Sequence, residues 1–150
     1  MKYKIPIIIF ALIMAYVPFT YAQNVKGIWV TTDDKSGKKV AHVEIYERDG
    51  KLHGKVIKLL PNAKTTHCKN CTGDRKGKSL INMDIIWDLE PSDDSWNNGE
   101  ILDPRSGKTY NCSIWLENKN TLSVRGSLGI SSLFGKTQTW SRLDNDQTGG

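Results

Sequence analysis

Alternation of apolar and polar positions dominates the chain. From Val40 to Arg48, Ala41, Val43 and Ile45 fall on one face of an extended segment, with His42, Glu44 and Tyr46 on the other. Thr109 to Glu117 repeats the pattern. Tyr110, Cys112, Ile114 and Leu116 share one face; Thr109, Asn111, Ser113 and Glu117 share the other, with Trp115 out of step. Further strands are predicted at 27–32, 51–60, 83–89, 96–102, 121–125 and 136–143. Asp49-Gly50 reads as a two-residue type I′ hairpin turn, because glycine tolerates the positive φ that this turn needs. Alternation lapses at Val56-Ile57, which marks a bulge or a strand apolar on both faces. The stretch 126–135 is irregular and rich in glycine.

The segments number about eight, and no helical periodicity follows the first 22 residues. Short strands joined mostly by tight turns predict an all-β domain. Consecutive hairpins favour an antiparallel up-and-down barrel, which also removes exposed sheet edges. One connection is different. Residues 61–79 lack periodicity and carry two cysteines, and a loop of that length is usually functional or tied down.

The first 22 residues stand apart from this pattern. Met1-Lys2-Tyr3-Lys4 is basic, Ile5 to Phe19 is apolar, and Thr20-Tyr21-Ala22 offers a small-residue cleavage site. This arrangement predicts a secretory signal peptide over 1–22 and a single β-barrel domain over 23–150. The apolar run is shorter than the ~20 residues of a spanning helix, so no membrane span is expected in the mature protein. Export places it in the periplasm or outside the cell.

Composition narrows the function classes. The 150 residues carry a net charge of +5, which falls to +3 when Lys2 and Lys4 leave with the signal peptide. A nucleic-acid binder would show a Lys/Arg stripe interleaved with aromatics, and none is present, so nucleic acid is not an expected partner. No metalloprotease, nucleophile-elbow, phosphate-cradling or EF-hand spacing occurs, so neither an enzyme nor a cofactor is indicated.

An ordered set of motifs runs through the chain. It comprises Gly27-x-Trp29, Glu44-Ile45-Tyr46, Asp49-Gly50-Lys51-Leu52-x-Gly54, Cys68-Lys69-Asn70-Cys71-x-Gly73 and Gly99-Glu100-Ile101-Leu102-Asp103-Pro104. It continues with Gly107-Lys108-Thr109-Tyr110, Val124-Arg125-Gly126-x-x-Gly129 and Thr137-Gln138-Thr139-Trp140-x-Arg142. The set resembles a family of exported bacterial proteins known as domain-of-unknown-function family 2147. Where that family has a glycine, this chain has Ile81-Asn82-Met83. The resemblance implies a small lipocalin-like (calycin-like) barrel and an envelope location, and brings no activity. Gly-x-Trp also resembles the first strand of the lipocalin and fatty-acid-binding superfamily, in which the Trp packs under an Arg from the end of the chain. First and last strands of a closed barrel are neighbours, so Trp29 and Arg142 are expected to form a cation–π latch.

Export makes a Cys68–Cys71 disulfide the default within the long loop. Three alternatives stay open: a Cys₃His zinc site of His67, Cys68, Cys71 and Cys112, a pairing of Cys112 with one loop cysteine, and a catalytic dithiol. The dithiol lacks the helix that would lower a thiol pKa. Cys112 shares an apolar face and is expected to be a buried free thiol. His42 and His53 flank the Asp49-Gly50 turn and are candidate cross-strand neighbours. Val43, Ile45, Tyr110, Ile114, Leu122 and Val124 are expected to point inward. They would line a site for a small hydrophobic ligand, unless side chains fill the barrel and it serves as a structural or protein-interaction module. An enzyme on the same scaffold is the least favoured reading.

Overall fold

A computed structural model describes residues 24–128 and 135–144. The expected signal peptide and Gly129 of the glycine-bearing stretch lie outside the described residues. The strands are β1 (Gly27–Thr32), β2 (Lys39–Arg48), β3 (Lys51–Leu59), β4 (Asp84–Ser92), β5 (Ser95–Asp103), β6 (Lys108–Asn118), β7 (Thr121–Ser127) and β8 (Gly135–Arg142). Each pairs antiparallel with the next, and β8 pairs with β1, giving a closed up-and-down barrel. The helical content described is a single 3-10 turn at Gly73–Arg75.

The two ends of the barrel are built differently. At one end, β2–β3, β4–β5 and β6–β7 are joined by the two-residue turns Asp49-Gly50, Asp93-Asp94 and Lys119-Asn120. Asp49 and Gly50 both take positive φ, 54° and 74°, as a type I′ turn requires. At the other end lie the longer connections 33–38, 60–83 and 104–107, and the link from β7 to β8.

Three expectations need correction. The strand predicted to stop at Leu89 runs on through Pro91, because β4 continues to Ser92 and pairs with Ser95. In a two-residue hairpin that flanking pair carries the hydrogen bonds, so the N–H that Pro91 lacks faces away from β5, beyond the β3 ladder that ends at Leu89. His42 and His53 are not neighbours. His42 pairs with Lys58 and His53 with Tyr46, with the expected bulge falling at Ile57 between these registers. Thirdly, β4 starts at Asp84 rather than Met83, after Asn82 takes φ 66°. That is the left-handed conformation glycine favours and asparagine tolerates, at the place where the family pattern has its glycine.

Closure of the ring rests on little sheet. β1 and β8 are in register only at Trp29↔Arg142 and Val30↔Ser141. Side chains reinforce the seam. The Arg142 guanidinium lies 4.2 Å from the centroid of the fully buried Trp29 ring. It donates from Nε to the Lys119 carbonyl at 2.7 Å, from Nη1 to that of Lys26 at 3.1 Å and from Nη2 to that of Asn24 at 2.9 Å. Trp29 donates its own Nε1–H to the Val25 carbonyl at 2.9 Å. Gly27 completes the unit. A Cβ there would come within 2.7 Å of Arg142 Nη1, and its φ of +135° is one that other residues rarely adopt.

Arg142→Ala should therefore lower stability by about 2 kcal/mol while leaving the far-UV spectrum unchanged. Urea titration checks this, and Arg142→Lys should restore little, since an ammonium lacks the planar fork that reaches three carbonyls.

Candidate functional site

The inside of the barrel is filled at one end and hollow at the other. Toward the short-hairpin end, Ile45, Leu52, Ile86, Leu89, Ile114 and Leu122 are essentially inaccessible beside Trp29. Two glycines make room for them. A Cβ on Gly99 would stand 2.7 Å from Leu89, and one on Gly54 would stand 3.1 Å from both Ile45 and Ile86. Toward the other end a cavity of about 790 Å³ opens among the longer connections. Val43, Val56, Ile85, Ile101, Val124 and Trp140 contribute apolar wall, and Tyr110, Thr31 and Gln138 contribute polar groups. Among the described residues the Tyr110 hydroxyl has no hydrogen-bond partner.

Of the six residues expected to line a ligand site, the structure brings Val43, Tyr110 and Val124 to the cavity. Ile45, Ile114 and Leu122 point inward but fill the closed half, so they correct the expected list. Two wall positions escaped the sequence reading. Trp140, named only within the last-strand motif, reaches the cavity and donates its Nε1–H to Gln138 Oε1 at 3.1 Å. Gly126 leaves space where a side chain would otherwise stand, its nearest neighbours being Ile101 and Tyr110 at ordinary contact distance. Alternation at Lys136–Leu143 could have found the first, and the inward phase of Leu122 and Val124 the second. Trp87, Trp96 and Trp115 do not line the cavity.

The rim is polar and internally paired. Asp34 accepts from Lys136 Nζ and from Gln138 Nε2. Arg105 lies 3.8 Å from the Asp33 carboxylate and 3.3 Å from that of Asp103. Hydrogen bonds from the Ser36 backbone and hydroxyl hold the Asp33 carboxyl below the ordinary carboxylate range.

The long connection is tied down beside this rim. Cys68 and Cys71 form a disulfide and are both buried. Asn70 donates from Nδ2 to the Arg105 carbonyl at 2.7 Å, so the crosslinked turn rests on the β5–β6 turn. Gly107 permits the approach: with φ +72°, a Cβ there would collide with the Asn70 carbonyl. On the outer wall, Arg75 stacks over Trp87 at 4.3 Å. His67 and Cys112 do not join the loop cysteines in a metal set, and no group of three or more His, Cys, Asp or Glu is gathered among the described residues.

An antiparallel barrel packed at one end and hollow at the other is the lipocalin architecture. Protein HP1028 from the human pathogen Helicobacter pylori, described as belonging to the lipocalin family, is similar in fold. Its TM-score is 0.72 at 24% identity, over 82% of this chain and 85% of that chain. The chain belongs to the family described as "Uncharacterized protein conserved in bacteria (DUF2147)", whose model matches residues 27–142. No curated protein matches the sequence.

Cys112 is free and buried, and burial pushes its thiol up to about 12. Protein isolated under oxidising conditions should show no reactive thiol when folded, one after unfolding without reductant, and three after reduction. Thiol titration against Ellman's reagent checks all three states.

Proposed function

We propose that this protein is an exported, non-enzymatic barrel that holds one small hydrophobic molecule in its open half. The observation that carries the reading is the cavity itself. Its volume of about 790 Å³ lies in the range of small-molecule sites, roughly 300–1,000 Å³. Its walls are mostly apolar, and a few polar groups stand where an amphiphile would place its head. Burying an apolar chain there releases about 25 cal/mol for each Å² removed from water, whereas the Tyr110 hydroxyl and Gln138 fix orientation.

Export supports the same reading. A basic, apolar and small-residue sequence precedes the barrel, as a cleaved signal peptide over 1–22 requires. The Cys68–Cys71 disulfide suits an oxidising compartment such as the periplasm. In this reading residues 23–150 form the mature single domain. The filled-barrel alternative, a structural or protein-interaction module, accounts for the closed half but not for the hollow one.

Titration with an environment-sensitive apolar fluorophore tests the reading. Saturable binding at one probe per chain is expected, with a change in Trp140 emission. Gly126→Val should weaken it about tenfold or more by occupying the wall, with stability little changed. Ile114→Val, in the filled half, should lower stability by about 1 kcal/mol and leave affinity almost unchanged. Absence of saturable binding across chemically varied apolar probes would reject the reading.

A further inference from the structure

The two ends of the barrel differ in how their cations are satisfied. At the short-hairpin end, Lys26 bridges Glu47 at 3.1 Å and Lys51 bridges Glu90 at 3.3 Å. At the open end the acids are already engaged: Asp33 and Asp103 face Arg105, and Asp34 holds Lys136. Many lysines there have no ion-pair partner among the described residues. Lys64, Lys69, Lys76 and Lys78 are exposed on the connection from β3 to β4, where Asp74 is the sole acid between 60 and 83. Lys35, Lys38, Lys39 and Lys108 add to them at the same end.

Exposed apolar groups share that end. Among the described residues, the large hydrophobic side chains left exposed are Leu128, at 58%, and Ile81, at 46%. Leu128 directly follows β7 and lines the cavity mouth, and Ile81 lies three residues before β4. Leu128 stands at the cavity mouth, whereas Ile81 lies with Arg75 and Lys78 on the flank of the β3–β4 connection; among the described residues the closed end has no counterpart to either.

Unpaired cations draw anions, and cations set around exposed aliphatic groups match one surface in particular. At the headgroup boundary of an anionic bilayer, lysines meet lipid phosphates while short apolar side chains enter the acyl region. A soluble anion would satisfy the lysines but leave Ile81 and Leu128 in water. We propose that the open end docks on a bilayer containing anionic phospholipid, with the cavity mouth facing the membrane. Docking stands on the surface alone and does not require the cavity to be occupied. If both hold, an apolar ligand passes between acyl chains and cavity without crossing water.

Flotation with phosphatidylcholine vesicles, with and without phosphatidylglycerol, tests the docking. Binding should need the anionic lipid and weaken as salt rises. The triple variant Lys69→Glu, Lys76→Glu, Lys78→Glu should lose on the order of 100-fold in partitioning while still binding the apolar fluorophore. The triple Lys26→Glu, Lys51→Glu, Lys119→Glu, with the same change in net charge at the closed end, should lose about threefold or less. All variants share one amino terminus, so any leader retained affects each equally. Should the first triple fail to fold by circular dichroism, Lys→Gln at the same three positions replaces it, with a loss of about tenfold expected. Equal losses from the two triples, or equal binding to vesicles lacking phosphatidylglycerol, would overturn the docking. Loss of fluorophore binding with docking intact would count against the cavity instead.

Discussion

Everything in this protein depends on closing a ring whose last seam has two residue pairs in register. A barrel left open between β1 and β8 would expose two edges, and its interior would no longer be a defined space. Arg142 makes up for the shortage of sheet. Its guanidinium covers Trp29 and ties together the incoming segment at Asn24 and Lys26 and the β6–β7 turn at Lys119. Gly27 is part of the same device, since a side chain there would occupy the place of the guanidinium. The residues of the Gly-x-Trp and Trp-x-Arg motifs thus describe one interaction seen from both ends of the chain.

With the ring closed, the distribution of volume inside decides what the molecule can hold. Leu89 uses the room left by Gly99, and Ile45 and Ile86 that left by Gly54, so the lower half packs solid. Higher up, Gly126 leaves a side chain's room beside Ile101 and Tyr110, and the strands run out into long connections. Stability and hollowness are therefore separated along the axis: the packed half and the latch support the fold, and the upper half is free to stay empty.

Much of the fold was legible because alternation is a local property. Ala41, Val43 and Ile45 on one face of β2, and Cys112 and Ile114 on one face of β6, needed no knowledge of partners. Height along the barrel axis is not local. Val43 and Ile45 are indistinguishable by phase, yet one borders the cavity and the other fills the floor, because register with β3 and its glycine decides which level each occupies. The misjudged histidines are a different case: the Asp49-Gly50 turn alone sets His53 opposite Tyr46 and His42 four residues further up β2, and the bulge at Ile57 only moves the partner of His42 to Lys58. Alternation places Trp140 and Gly126 on the inward face, but neither residue type announces a cavity wall, and their height along the axis is set by the neighbouring strands. The docking of the disulfide turn on Gly107 joins positions far apart in sequence, which no pattern along the chain records.

The unequal lengths of the connections carry an evolutionary consequence. Three two-residue hairpins at the closed end leave no slack, so an insertion there would shift strand register and turn inward side chains outward. The connections at 33–38, 60–83 and 104–107 have more slack, although Cys68, Cys71, Leu80 and Met83 still contribute to the common core and Gly107 must stay small beside Asn70, so a change of length is easiest between those anchors. Tolerance of change and the demand for exact register thus sit at opposite poles of one small molecule.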